Sequence, residues 1–335
     1  MKVYFLNTLG IGIDIIQLVA KKTKISGVIG LSKRDPGEAI SDYVYQKEFC
    51  KTHNLKFVEL KTYNFSNDTD KSKLLDFEID VLVVSGWQRL VPDWLINHCK
   101  ICIIGIHGSP LGITKGRGRS PQNWALILGL KEFYISIFKI DSGIDSGQII
   151  ATKKFIYSEF DDIKTSYYKT CLLTTQMISE VIQHPDRLHG DFEEQDEAEA
   201  EYFPKRRPED SFIDWNLSSS KIVKFVKGLT KPYPGARTTL NEKTIKIWKA
   251  IPFEIDFETE AIPGQVVKKF SKGDVLVKTT DSFVLIEQME NKQGVTIEEG
   301  DIFESRSFEY QIKDIIKNHK DKFPGLKITS MISGL

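Results

Sequence analysis

Cysteine is scarce in this chain: Cys50, Cys99, Cys102 and Cys171 are the only four in 335 residues. Four thiols cannot staple a chain of this size, so a disulfide scaffold is excluded. Cys99 and Cys102 form one C-x-x-C with no second pair, and Cys102 sits in the apolar run 101–104. That context favours buried thiols over zinc or redox chemistry. Long hydrophobic runs are also missing, and none reaches the ~18–20 residues of a membrane span. The opening MKVYFLN is too short in apolar residues for a secretory signal and reads as a first strand. Charge of either sign is not in excess, because 46 Lys plus Arg meet 46 Asp plus Glu. A protein that grips a polyanion by bulk electrostatics needs a basic surplus. Nucleic acid is therefore disfavoured, although a local basic patch stays open. The expectation is a cytoplasmic protein with no metal and no membrane contact.

What is present is an ordinary globular composition, 41% hydrophobic and 27% charged, in a length that suits two domains. The first 150 residues alternate apolar runs with helical stretches. Strands are expected at 2–6, 25–31, 56–60, 81–85 and 101–106, and helices at 13–22, 41–54 and 91–99, with Ser41 able to cap the second. This alternation predicts an α/β fold with an open, mostly parallel sheet. Helices follow at 121–128 and 164–184. An acidic run at 191–201 then leads to FPKRRPED (203–210), whose prolines and bases mark the best linker. Beyond it come a helix at 218–229, the breaker KPYPG (231–235), and short strands at 238–240, 244–250, 264–269, 274–278 and 282–288. Their spacing predicts a small β-barrel. A final amphipathic helix is expected at 308–319, before a polar tail. Phe308, Ile312, Ile315 and Ile316 give it an apolar face, to pack on the parent domain or on a second subunit as a homodimer.

The chemistry concentrates between residues 103 and 150. In an open parallel sheet, ligands bind beyond the carboxyl ends of the strands. His107 is expected where the strand 101–106 gives way to loop. The following loop GITKGRGRS (112–120) combines three glycines with three bases and can hug an anionic or polar ligand. A strand at 134–140 ends in a second glycine-rich loop with two carboxylates, Asp141 and Asp145. Either could orient His107, which would then move protons. The plainer reading makes His107 a packing residue and the Asp-x-Gly a turn. Gly10-Ile-Gly12 lacks the third glycine of a dinucleotide fingerprint, which leaves a tight turn or a helix N-terminus facing a ligand.

Several segments carry a resemblance to the formyltransferases that use N10-formyltetrahydrofolate. They are SGWQRLVPDWL (85–95), IGIHGSP (104–110), GRGRSPQNWALILG (116–129) and KIDSGIDSGQI (139–149). Downstream, FPKRRPEDSFIDW (203–215) and LTKPYPGA (229–236) are similar to the family's linker and C-terminal domain. The resemblance implies a Rossmann-like formyltransferase domain over 1–202, a linker over 203–210, an OB-like β-barrel domain over 211–303, and a C-terminal helix and tail over 304–335. It implies that His107 and Asp145 are catalytic. A neutral amine attacks the formyl carbon to give a tetrahedral intermediate, while His107, kept in its tautomer by Asp145, takes the amine proton and passes one toward N10. The pteridine is expected against Trp87, Gln88, Arg89 and Leu90 and the loop Asp141, Ser142, Gly143 and Ile144. Trp87 reads equally well as a core aromatic.

The family's Asn-x-His motif is broken here, because Gly105 stands where the asparagine belongs. Loss of one oxyanion donor typically costs ~2.7–4 kcal/mol of transition-state stabilisation. Either another group serves (a water on the Gly105 backbone, Ser109 or Asn123), or the enzyme is slower, or it has become a non-catalytic folate or sugar-nucleotide binding protein. Glycine here is similar to members of surface-sugar pathways, which favours an active enzyme. For the acceptor, the basic insertion of the methionyl-tRNA formyltransferases is missing: residues 30–39 hold two bases offset by two acids. The resemblance therefore points to a nucleotide-linked amino sugar, as in lipopolysaccharide or other surface glycan biosynthesis. Asn7, Gly10, Arg117, Gly118 and Arg119 are the expected substrate contacts, while Lys33, Arg34 and Lys115 could also meet a phosphate. Methionyl-tRNA formylation is the first alternative, and hydrolysis of the formyl donor by water ranks below it.

Overall fold

A computed structural model describes residues 1–34, 40, 42–292 and 294–335. In chain order the first part holds β1 (Val3–Asn7), α1 (Gly10–Ala20), β2 (Gly27–Leu31), α2 (Lys47–Thr52), β3 (Lys56–Leu60), α3 (Asp68–Leu75), β4 (Val81–Gly86), α4 (Asp93–His98) and β5 (Cys102–Ser109). Next come β6 (Arg117–Gly118), α5 (Pro121–Leu128), β7 (Glu132–Lys139), β8 (Ile149–Ile156), α6 (Ile163–Gln183) and β9 (Tyr202–Phe203). The rest is α7 (Ser219–Leu229), β10 (Ala236–Leu240), β11 (Lys243–Phe253), β12 (Val266–Lys269), β13 (Val275–Lys278), β14 (Phe283–Glu290), α8 (Phe308–Lys322) and α9 (Ser330–Ser333). The chain forms two compact units: Met1–Arg117 with Tyr134–Phe155 and Tyr167–Ala200, and Gly118–Phe133 with Ile156–Ser166 and Glu201–Leu335.

The first unit is built on a seven-stranded sheet in the order β3-β2-β1-β4-β5-β7-β8. The pairs β1–β2, β2–β3, β1–β4 and β4–β5 are parallel, and β5–β7 is antiparallel. Strands β1 and β2 are buried along their whole length, which is why they read as continuous apolar runs without alternation. The chain winds outward from β1 to β3 and then crosses to β4 and β5. The order therefore reverses between β1 and β4, the kind of switch point where such sheets bind ligands.

Several expectations shift against this sheet. The helix expected at 41–54 is only α2, because the chain before Lys47 is not helical over its described residues. Ser41, the expected cap, lies outside the described residues, as do residues 35–39 of the segment 30–39. Helix α1 starts at Gly10, so both glycines of Gly10-Ile-Gly12 lie inside its first turn. Helix α3 was not expected at all. It is mostly polar, and it is held by the Asn67 side chain accepting from Asp70 N and by the buried Asp70 carboxylate accepting from Lys61 N and Thr62 N. Strand β8 was also unexpected; it lies at the sheet edge and is only half-buried.

In the second unit, α7 is capped by Ser218 and lays Ile222, Val223, Phe225, Val226 and Leu229 into an apolar core. That core covers a five-stranded antiparallel sheet, β10-β11-β14-β13-β12. The expected barrel is an open half-barrel. Its edges are linked by single bridges through the segment 302–304, Thr239 with Glu304 and Gln265 with Ile302. Trp215 is fully buried there, stacks on Phe303 at 5.7 Å and donates its indole N–H to Thr238 Oγ1 at 3.0 Å. The expected terminal helix runs three residues further, to Lys322, and the polar tail folds into α9 with Ile332 buried.

Candidate active site

The site begins with the unequal pairing of β5. Its parallel ladder with β4 ends at Ile104, while its antiparallel ladder with β7 continues to Ser109. His107 therefore sits inside a strand, opposite Ser136, and not at the strand-to-loop junction where the sequence placed it. Its side chain is 9% exposed. Nε2 lies 2.7 Å from the Gly116 carbonyl, which can only accept, so Nε2 carries the proton. Nδ1 faces the Asp145 carboxylate at 3.4 Å. The tautomer is thus fixed by a backbone carbonyl on the far side of the ring, and Asp145 stands beside the other ring nitrogen.

Of the two candidate carboxylates, Asp141 is consumed by its own loop. It accepts from Gly143 N at 3.0 Å and from Ser146 Oγ at 2.7 Å, and this turn presents Asp145. Asp145 is held at φ 53, a left-handed conformation that Asp tolerates better than most residues. The segment 195–197 braces the surroundings. Gln195 donates to Asp145 O at 2.8 Å and to Gly147 O at 2.7 Å. Arg117 is completely buried; it donates to Gln195 Oε1 and makes two bonds to Glu197, at 2.9 and 2.6 Å. Its expected part as a substrate contact gives way to an internal one.

A cleft of about 290 Å³ opens at the switch point, past the ends of β1, β4 and β5. Its wall is largely apolar, with Leu9, Ile11, Val84, Ile106, Phe138 and Ile144 among the lining residues, and Asp145 reaches it. Trp87, Gln88, Arg89 and Leu90 line it from the β4 side, and Asp141, Gly143 and Ile144 from the β7 side. Trp87 is a packed aromatic at the cleft wall. Its ring packs on Tyr63 and Phe65 at 4.8 and 5.0 Å, yet it also lines the cleft. Arg89 stacks over Tyr63 at 4.8 Å, and Leu90 is 63% exposed. Trp87 Nε1 and Ser85 Oγ, both of cleft-lining residues, are buried without a hydrogen-bond partner among the described residues. Buried groups of this kind call for a partner, such as a water or a molecule bound in the cleft.

The remaining expected residues divide clearly. A Cβ on Gly105 would lie 2.5 Å from Phe138 Cζ and 3.0 Å from Ile140 Cγ1, so the Phe138 ring takes the space a side chain there would need. Ser109 Oγ accepts from Leu111 N at 3.1 Å in a local turn. Asn123 belongs to the second unit, where its amide donates to Gly228 O at 2.6 Å. Gly118 and Arg119 belong to that unit too. Gly118 has φ 93, a Cβ on it would come within 2.6 Å of Phe203 O, and Arg119 is exposed. Lys115 pairs with Glu199, Lys33 is exposed, and Arg34 donates to Lys61 O at 3.4 Å.

At the end of β1, Asn7 is buried and bonded to both backbone groups of Leu9. A Cβ on Gly12 or on Gly86 would lie 1.9 Å from Asn7 Oδ1. Gly10 N donates to Asp42 O at 3.1 Å, and Ile11 N to Asp42 Oδ2 at 3.4 Å. The α1 N-terminus is therefore already occupied by an acid of the chain itself. All four cysteines are free and buried, and burial pushes the thiols of Cys99 and Cys102 up to about 12 and about 11.

A histidine–aspartate pair beside a cleft at the switch point is an arrangement that can move protons on a bound small molecule. Comparison with known proteins supplies the family. The model for "Formyl transferase" matches residues 6–182, and that for "Formyl transferase, C-terminal domain" matches residues 205–306. The chain belongs to the formyl transferase family and is a formyltransferase. It is 32% identical over 247 residues to the methionyl-tRNA formyltransferase of Pediococcus pentosaceus, covering 71% of this chain and 75% of that protein. It resembles the structure of HypX from Aquifex aeolicus in complex with tetrahydrofolic acid, with TM-score 0.60 and 17% identity over 98% of this chain and 48% of HypX. It thus spans about half of HypX. It also resembles an N-formyltransferase from Helicobacter canadensis in complex with folinic acid and dTDP-3-aminofucose, with TM-score 0.59 and 16% identity, covering 87% of this chain and all of that one. No helix among the described residues is long and apolar enough to cross a membrane.

Proposed function

We propose that the chain transfers a formyl group from N10-formyltetrahydrofolate to the amino group of a nucleotide-linked sugar, with His107 and Asp145 as the catalytic pair. The observation that carries the chemistry is the polarity of His107. With Nε2–H spent on the Gly116 carbonyl, Nδ1 is the atom that takes the proton lost by the attacking amine. Asp145 stabilises the positive charge that then develops on the ring. The same nitrogen returns a proton to the folate nitrogen as its bond to the formyl carbon breaks. One carbon–nitrogen bond forms and one breaks, so protons balance over the cycle.

The cleft suits a pteridine. Its walls are apolar, and the unpartnered Trp87 N–H and Ser85 hydroxyl are the kind of groups that a heterocycle with several donors and acceptors would satisfy. Gly105 offers no side chain to the formyl oxygen, so that charge falls to the protonated His107.

The choice of a small acceptor rests on charge. Net charge is zero, and the exposed loop 254–260 carries Glu254, Asp256, Glu258 and Glu260 with no base. An RNA partner would be repelled there. The dTDP-3-aminofucose of the Helicobacter canadensis structure supports the same reading. Methionyl-tRNA is the second reading, favoured by the name of the Pediococcus pentosaceus relative. The test is incubation with the formyl donor alone, then with initiator methionyl-tRNA, and then with UDP-, dTDP-, GDP- and CMP-linked amino sugars, followed by mass analysis for a formyl adduct. Formylation of an amino sugar alone is expected. Preference for methionyl-tRNA would overturn the acceptor. Folate release without an amine would indicate hydrolysis, and no release under any condition would indicate a binding protein.

A further inference from the structure

We propose that Gln195 is a positioning residue that sets the geometry of the His107–Asp145 pair, an inference that rests on the catalytic reading of that pair. Gln195 is 9% exposed, and its amide is fully used. The two N–H groups go to Asp145 O and Gly147 O, at 2.8 and 2.7 Å. Oε1 accepts from Arg117 Nη2 at 3.0 Å and from Thr114 Oγ1 at 3.2 Å. Two donors and a double acceptor on one planar group are what an amide offers and a carboxylate does not.

The four contacts reach both catalytic groups from behind. On one side, Thr114 opens the single helical turn Thr114–Gly116, and Arg117 follows it. Gripping residues 114 and 117 fixes the Gly116 carbonyl between them, which receives His107 Nε2. On the other side, Asp145 is held at φ 53, a left-handed backbone state that persists only when its surroundings enforce it. Gln195 grips the carbonyl of Asp145 itself and that of Gly147 two residues on. One side chain thereby holds the carbonyl that fixes the imidazole and the backbone that aims the carboxylate, and so sets the 3.4 Å between Nδ1 and Oδ2. Gln195 touches neither ring nor carboxylate, so its action is indirect.

The test is nitrogen NMR of 15N-histidine protein, comparing wild type with Gln195→Leu and Gln195→Glu. The chain has six histidines, and the other five (His53, His98, His184, His189 and His319) report whether the fold is intact. Gln195→Glu keeps an acceptor for Arg117 but loses both donors, so it spares the buried guanidinium. In both variants the His107 ring nitrogens should leave the pattern of a single Nε2–H tautomer while the other five signals stay. Formyl transfer should lose roughly tenfold or more in kcat, the scale of a small misplacement of reacting groups, with KM for the formyl donor unchanged. The proposal is overturned if the His107 signals in Gln195→Glu match wild type. It is equally overturned if all six histidines change together and activity falls only with the folded fraction. Failure of the catalytic reading looks different: wild type would transfer no formyl group, while His107 still responded to Gln195.

Discussion

Two strand ends of one sheet look alike in sequence and differ in what they can do. The end of β1 offers glycines and a helix N-terminus, the usual ingredients of an anion site. The end of β5 offers a histidine in a strand and a carboxylate in a distant loop. At β1 the polar groups are satisfied from within, since Asn7 closes on Leu9 and Asp42 sits on the N-terminus of α1. At β5 the histidine is braced from behind at Nε2, and its Nδ1 faces Asp145, a residue that lines the cleft. What separates a site from a turn is therefore where hydrogen-bonding capacity remains unspent, more than which residue types are present.

The sharpest break of this comparison is His107→Ala. It should cut kcat/KM for formyl transfer by about a thousandfold, within the span of general acid–base groups, with an unchanged circular dichroism spectrum. Asp145→Asn comes next, at roughly a hundredfold. Asparagine accepts the left-handed backbone at φ 53, so steady-state kinetics should show this loss without loss of fold. At the other strand end the effect should move from rate to stability. Gly12→Ala forces a Cβ into Asn7 and should cost about 1–3 kcal/mol in urea unfolding, with kcat per folded molecule kept.

Glu197 gives a pH-dependent test of the brace. The hydrogen bonds from Arg117, and then its charge, hold this carboxyl below its usual 4.5 against the opposing effect of burial. A folded pKa below the unfolded one adds stability that is present above the unfolded value and is lost as pH falls through the folded one. Glu197→Gln should therefore lower stability at neutral pH and flatten the acid limb of a thermal-melt series. The pair is largely exposed on the Glu197 side, so the effect should be modest. The smallest change belongs to Asp42→Asn, which keeps a residue suited to the left-handed φ 62 and should cost a few tenths of a kcal/mol from the loss of an acid at a helix N-terminus. Acceptor KM should not move, because Asp42 already accepts from the α1 N-terminus.

Much of the sheet was legible because buried parallel strands need unbroken apolar runs. β3 matches its expected limits, β4 runs one residue further, and β1 is shifted along by one residue. Helix α3 was illegible because its stability comes from Asn67 and Asp70 binding backbone groups, with only Asp70 and Leu74 buried. The pairing of His107 with one of two nearby carboxylates was legible as an alternative. The decision for Asp145 lies in the Asx turn that consumes Asp141. Arg117 looked like a ligand contact because a basic residue in a glycine-rich loop usually faces solvent. Its partners, Gln195 and Glu197, lie in a run that read as mere acidic sequence before a linker.

The sequence by itself determined the alternation of strand and helix, the order of the motifs and the identity of the groups that can move a proton. These follow from local pattern and side-chain chemistry. Only the tertiary structure decided which hydrogen bonds were already spent. It turned Arg117 inward, capped α1 with Asp42, filled the space beside Gly105 with Phe138, and left His107 Nδ1 facing Asp145. Hydrogen-bonding capacity is a property of neighbours in space, and residues 78 or more apart in the chain make the bonds between Arg117 and the segment 195–197.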